Sequence, residues 1–277
     1  MRTLAVAALA ASLVCFAPGI ASAHVTGVLT LGYEYTDSNS DCSGECYSND
    51  ETEQGPNISA ASAAPLMGDD GPCMLQGEGR LQSEEEDYGY GYTPHYNVGH
   101  AALHIAYRTD QYAVGAFYGI QNDHGNDVQE IGIEAQKYWS RFTLQGSAAY
   151  GKHSDSCSGC NDDYSAWDAQ ASLTYYVNDS WSVSGNVGYA SWDYNYGSTD
   201  LTTVGVGAEY RIPETRYSIR AAYIHGDASD TYSDYTTETF QAALVMDLGS
   251  GNARERDQHG ASLSGADAFD THWRLWE

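Results

Sequence analysis

The chain is short of positive charge. Its 277 residues hold 12 Lys and Arg against 38 Asp and Glu, a formal net charge of −26. A phosphate backbone attracts basic surfaces, so this balance excludes a nucleic-acid-binding protein. It also excludes a soluble domain that reaches anionic lipid through a polybasic patch. Proline is scarce, at 6 residues, and beyond Ala23 there is no long continuous apolar run, so no transmembrane helix is expected. The G-x-S-x-G, H-E-x-x-H and phosphate-loop signatures are absent, as is the D-x-[DN]-x-[DN]-G calcium loop. No enzyme activity, cofactor or metal is read from the sequence.

What the chain does have is glycine (29), tyrosine (23) and alternation. The stretch from Ala166 to Trp192 shows it best. Trp167, Ala169, Ala171, Leu173, Tyr175 and Val177 fall on one face, and Asp168, Gln170, Ser172 and Thr174 on the other. Asn178-Asp179-Ser180 has a turn composition. The alternation resumes with Trp181, Val183, Gly185, Val187 and Tyr189. Strand side chains point to opposite faces with period two, so this is a β-hairpin with one apolar and one polar face. Each arm is about ten residues, enough for a tilted strand to cross a bilayer. Aromatics mark both ends of the apolar face, as at two membrane–water interfaces.

The same pattern starts at His24–Tyr35 and returns at Tyr96, continuing to Leu248. It predicts an all-β, antiparallel, up-and-down transmembrane β-barrel of about ten strands. Connections near residues 109, 140, 179 and 214 are two or three residues long. Those at 37–93, 122–126, 154–165, 195–200 and 228–235 are longer. Short and long connections alternate as periplasmic turns and external loops do, and the even strand number puts both ends on the periplasmic side. Each short turn is flanked by aromatics: Tyr107 and Tyr112, Trp139 and Phe142, Tyr175 and Trp181, Tyr210 and Tyr217.

Three segments stand outside this pattern. Residues 1–23 read as a secretory signal, with Arg2, the apolar run Leu4 to Ala17, and an A-x-A site at Ala21-Ser22-Ala23. Within the barrel segment 24–249, residues 37–93 carry thirteen carboxylates and one base, Arg80. They read as a long, acidic, solvated external loop. Residues 250–277 form a periplasmic tail, which either folds back as a plug or lies disordered.

The chemistry-bearing residues belong to the polar face. The expected pore lining is Glu34, His100, His104, Arg108, Glu130, Glu134, Asp168, Glu209, Arg211, Arg220 and Asp247. Six carboxylates against three guanidiniums make that lumen negative and weakly cation-preferring. Inward positions such as Gly119, Gly132 and Gly188 are small and leave room for water or for tight curvature. His100 and His104 have a helical zinc spacing, but on a strand they stand about 13 Å apart and cannot share a metal. Cys42, Cys46, Cys73, Cys157 and Cys160 are disulfide candidates in an oxidising exterior, with one left over. Cys157 and Cys160 have C-x-x-C spacing without the helix a redox motif needs.

The segments HVTGVLTLGYEY, IGIEAQKYWSRFTLQGSAAYG, VGVGAEYRIPETRYSIRAAYIHGD and TTETFQAALVMDLGSG resemble those of small porin-like outer-membrane β-barrel proteins of Gram-negative bacteria. The stretch GNARERDQHGASL is similar to the segment beyond the barrel in some of them. The resemblance implies an outer-membrane barrel in contact with lipid, passing small hydrophilic solutes, cationic or neutral. Two departures are plain. The last strand ends at Leu248 rather than in a terminal aromatic, and there is room for fewer strands than the sixteen or more of the trimeric porins. The oligomeric state is open. Two other classes fit the pattern: a non-conducting structural or adhesive barrel working through its acidic loops, and an omptin-like protease using His225 and Asp227 with Asp162 and Asp163.

Overall fold

The computed structural model describes residues 25–42, 50–66, 71–87, 93–123, 126–154, 165–194, 197–230, 233–249 and 251–274. Residues 1–23, expected to be a secretory signal, lie outside them. Twelve antiparallel strands form one closed barrel: β1 (Thr26–Cys42), β2 (Asp50–Pro65), β3 (Cys73–Asp87), β4 (His95–Arg108), β5 (Tyr112–Asp123), β6 (Asn126–Tyr138), β7 (Phe142–Ser154), β8 (Ser165–Tyr176), β9 (Trp181–Tyr194), β10 (Gly197–Arg211), β11 (Tyr217–Ser229) and β12 (Ser233–Leu248). Each strand pairs with its neighbours in sequence. β1 closes the ring against β12 in a register running from Gly27↔Leu248 to Cys42↔Ser233.

The barrel is inside out relative to a soluble protein. On β6, Ile131 and Ile133 are 61% and 67% exposed, while Glu130 and Glu134 on either side of them are 2% and 4% exposed. Leu103, Ile105, Val206 and Ile219 stand on the same outer surface. Aromatic pairs mark its edges. At the end where β1 begins and β12 finishes, Phe142 stacks near Tyr175 at 4.9 Å and Trp181 near Tyr210 at 4.8 Å. At the other end Trp167 meets Tyr189 at 5.1 Å and Tyr223 meets Phe240 at 5.0 Å. From Tyr175 to Trp167 the strand rises about 27 Å, which a tilt of about 40° brings close to the apolar band of an outer membrane. The tight turns follow their chemistry. The Asn178 side chain accepts from the Ser180 and Trp181 amides, each at 2.9 Å, and Val177 N–H closes onto Trp181 O at 2.9 Å.

The strand count corrects the sequence expectation of about ten. Residues 37–93 are not one loop: β1 extends to Cys42, and β2 and β3 lie inside the segment. Their outward faces carry mostly small or polar residues (Thr52, Gln54, Ala60 and Ser62; Gly77, Gly79 and Ser83), with Ile58, Leu75 and Leu81 isolated among them, so no sustained apolar alternation shows in the sequence. The acids alternate instead. On β3, Glu78, Glu84 and Glu86 share the inward face with Gln76, Arg80 and Gln82. Other expected loops are shorter too: strands resume at Asn126 after Asp123, at Gly197 after Tyr194, and at Ser233 after Ser229.

Of the two readings left open for the periplasmic tail, plug or disorder, the described residues have the plug: after Leu248 the chain turns back into the lumen. Gly249 makes the reversal with φ +96°, a left-handed conformation that suits glycine. Helix α1 (Ala253–His259) follows, then helix α2 (Gly265–Arg274). Asn252 caps α1 by accepting from Glu255 N at 2.9 Å, and Glu255 reaches back to Gly251 N at 2.6 Å. α2 packs against β4 to β8. Its Ala266 and Phe269 join Phe117, Val128, Trp192, Leu201 and Ile224 in an apolar cluster inside the barrel. Leu263, between the helices, packs with Ala63, Met74, Ala106 and Ala261.

An outward mid-strand charge tests the lipid-facing surface. Ile133→Arg should lower the unfolding free energy in phospholipid by about 2–4 kcal/mol, read from denaturant titration of vesicle-inserted protein. A change within about 0.5 kcal/mol would contradict a membrane exposure of that face.

Candidate functional site in the barrel lumen

The interior is a set of carboxylates, each brought to a partner by the register. Glu34 on β1 receives Arg80 Nη2 at 3.1 Å, Gln82 at 3.2 Å and Gln241 at 2.6 Å. Arg80 also donates to Gln82. On β4, His100 Nε2 lies 3.2 Å from Glu130, and His104 is held between Glu134 at 2.6 Å and Glu78 at 3.3 Å. The two histidines therefore serve separate carboxylates. No cluster of three or more ligating side chains suited to a metal occurs among the described residues.

The tail supplies the remaining partners. Arg256 of α1 grips Glu209 with two nitrogens, at 2.9 and 3.0 Å, and touches Asp247 at 3.4 Å. Arg220 reaches the same Glu209 at 3.0 Å, and Arg211 the same Asp247 at 2.8 Å. Burial alone would depress the Arg256 guanidinium, but Asp257, Glu209 and Asp247 hold its pKa well above the usual arginine value. Asp257 in turn accepts from Tyr176 OH at 2.7 Å. The first amide of α2, Gly265 N–H, donates to Glu134 at 3.1 Å, where an unsatisfied helix N-terminus favours an anion. Gln76 pairs with both backbone groups of Leu263, at 2.5 and 3.1 Å, and Arg108 donates to Gly260 O at 2.5 Å. At the far end His272 Nδ1 sits 2.5 Å from Asp168 and its Nε2 2.9 Å from Thr203 Oγ1. That order of acid, imidazole and hydroxyl imitates a catalytic triad. With Thr203 only 1% exposed, it acts as a fastening of the tail to β8 and β10.

Small inward residues are sockets for these side chains. The space above Gly132 is filled by Phe117, above Gly151 by Phe269, and above Gly188 by His272 and Thr203. Side chains, rather than water, take up the room that these glycines leave. What remains open is a cavity of about 410 Å³ beside the tail, with one of about 100 Å³ adjoining it. Thr30, Ser59, Arg80, Arg220, Ala222, Gln241 and Asp267 border both. Ser172, Thr174, Ser182, Ser184 and Asn186 continue the larger one along β8 and β9.

All eleven sequence-predicted side chains project inward, but most do not border open space. His100, Glu209, Arg220 and Glu34 line a cavity; His104, Arg108, Glu130, Glu134, Asp168, Arg211 and Asp247 do not. Sequence reasoning missed Gln76, Glu78 and Arg80 on β3, and Arg256, Leu263, Gly265 and His272 in the tail. Two signals were there: Arg80 alone among acids that alternate, and the capping pair Asn252 and Glu255 ahead of Arg256. Of the protease candidates, His225 lies 3.3 Å from Asp227, which is largely exposed, and the register puts His225 on the outward face with Tyr223. Asp162 and Asp163 lie outside the described residues. Cys73 is unpaired and heads β3 on the outward face, at the opposite barrel end from Cys42 at the close of β1. It is thereby removed from pairing with Cys42. Cys46, Cys157 and Cys160 lie outside the described residues.

No family model and no curated protein matches the chain by sequence. Solved structures do match. An outer-membrane channel from Pseudomonas putida F1 superposes with a TM-score of 0.62 at 10% identity, over 80% of this chain and 95% of that one. The fold is that of an outer-membrane β-barrel. The β domain of the Bordetella autotransporter BrkA aligns with a TM-score of 0.51 at 11% identity, over 81% of this chain and 100% of that one. Within this outer-membrane-type barrel the tail is a plug fastened by ion pairs.

Arg256→Ala should undo that fastening. It leaves Glu209 and Asp247 buried without their shared partner, a loss of about 3–5 kcal/mol in docking of the tail. Hydrogen exchange should rise across residues 253–274 while the barrel strands stay protected. Equal protection in the variant would contradict the role given to Arg256.

Proposed function

We propose that the protein is an outer-membrane diffusion pore for small hydrophilic solutes, which pass beside the tail rather than through an empty bore. The observation that carries this reading is the pair of adjoining cavities between the plug and a wall that runs from β8 through β12 to β1, β2 and β3. Their lining of hydroxyls and amides from Thr30, Ser59, Ser184, Asn186 and Gln241 can replace the hydration of a polar solute. The outer surface supports the location: an apolar belt with aromatics at both edges is what lipid contact requires. The solutes this lining suits are neutral or singly charged. The cation preference expected from six lumen acids is weakened by their pairing, since Glu34, Glu130, Glu134, Asp168, Glu209 and Asp247 all have partners.

Conductance in planar bilayers and swelling of liposomes containing the refolded protein test the reading. The native chain should give discrete current steps. Ser59→Trp and Ala222→Trp, which fill the stretch common to both cavities, should each cut conductance at least about twofold. Current unchanged by both would place the path elsewhere, and no current from folded native protein would refute the pore.

A further inference from the structure

The tail touches the lumen at its acids. Glu134 accepts from the Gly265 amide at 3.1 Å, and Asp168 faces His272 at 2.5 Å. Glu209 and Asp247 share Arg256, at 2.9 and 3.4 Å. Of the six acids expected in the lumen, these four meet groups of the tail, three of them beside a wall partner (His104 on Glu134, Arg220 on Glu209, Arg211 on Asp247), and Glu34 and Glu130 are held by groups of the wall. Glu134, Asp168 and Asp247 border neither cavity. Glu209 does border the larger one, with both oxygens engaged by Arg256 and Arg220.

We infer that the C-terminal segment sets the ion selectivity of the pore, by holding acidic side chains of the barrel wall in pairs and out of the solute path. This rests on the diffusion-pore reading and deepens it. With the tail seated, the charged groups shared by the two cavities are of both signs, Asp267 with Arg80 and Arg220. The rest of the shared lining is neutral hydroxyl, amide and methyl. Neutral dipoles that offer both donors and acceptors discriminate little between a monovalent cation and an anion, whereas unpaired carboxylates at a constriction favour cations. A wall without Arg256 loses one positive charge at Glu209 and Asp247, which keep only Arg220 and Arg211, and without His272 Asp168 loses its imidazole partner.

The same geometry explains why the tail carries an arginine where it meets two acids. A guanidinium presents several donors in a fixed fork, so one side chain reaches Glu209 through two nitrogens and still touches Asp247. It also explains why a histidine, with a nitrogen on each side of a flat ring, bridges Asp168 and Thr203. The tail is a charge mask as well as an obstruction.

Reversal potentials of the refolded full chain in a KCl gradient read the selectivity directly. The native K⁺/Cl⁻ permeability ratio should lie within about twofold of unity, and Arg256→Gln should raise it at least about threefold. His272→Ala, which releases Asp168 alone, should shift it the same way by a smaller factor. Arg256→Lys, which keeps the charge, should stay close to native. Folding of each variant is checked by heat-modifiable gel migration, and if Arg256→Gln does not refold, the native ratio and His272→Ala decide. A native ratio above about five, or ratios unmoved in folded Arg256→Gln and His272→Ala, would overturn the inference while leaving the pore intact. A folded barrel silent in every form would instead refute the pore reading, and this inference with it.

Discussion

A strand in lipid has no water to satisfy its backbone, so the sheet must close on itself. The rest of this structure depends on that closure. The pairing of β1 with β12 leaves no free edge, and the period-two backbone then sends every second side chain to lipid and every other one inward. The outward set is apolar and ringed by aromatics. The inward set has to be polar where water reaches it and partnered where water does not. A ring of twelve strands is too wide for its own side chains to fill, and here a returning tail takes up the difference.

The tail resolves two demands at once. Its apolar side, Ala266 and Phe269, completes a cluster with Phe117, Trp192 and Leu201 that the wall alone could not bury. Its polar groups complete the pairing of buried carboxylates, and pairing left incomplete costs several kcal/mol per charge. The contacts are directional as well as electrostatic. The Gln76 amide reads both backbone groups of Leu263, which fixes the register of the tail against β3 as a neighbouring strand would. Packing, hydrogen bonding and charge therefore specify one seat for the segment, on the β4 to β8 side. The open space, which runs from β8 through β12 to β1, β2 and β3, is a consequence of that seat.

Much of this was legible in the residues. Ten of the twelve strands declare themselves by apolar alternation, and the faces read for Glu130, Glu134, Asp168 and Glu209 are the inward faces of the barrel. β2 and β3 were hidden because Ala, Ser, Thr and Gly break up the few large apolar residues of their lipid side, Ile58, Leu75 and Leu81. The alternation survives only in the polar inward set, where it passes for a run of charge. The tail was hidden for a different reason. Arg256, Gly265 and His272 acquire their meaning from residues 9 to 131 positions away, such as Asp247, Asp168 and Glu134. A local pattern announces a capped helix there, but not the cavity it enters. The site was half visible for the same reason: the acids are encoded on strands, and their partners on a segment that reads as an appendage.

The account stands or falls on the tail being inside the barrel. A cross-link measures that most directly. With the five cysteines 42, 46, 73, 157 and 160 replaced by serine, Gln76→Cys and Leu263→Cys place two thiols where side chain and backbone are now in hydrogen-bond contact. Mild oxidation of the folded, membrane-inserted protein should close that disulfide nearly completely, and a matched pair of Gln76→Cys with Ser59→Cys, on the open side, should not close. Failure of the 76–263 pair to form, with the tail cleaved by added protease while the barrel stays folded, would contradict a plugged lumen.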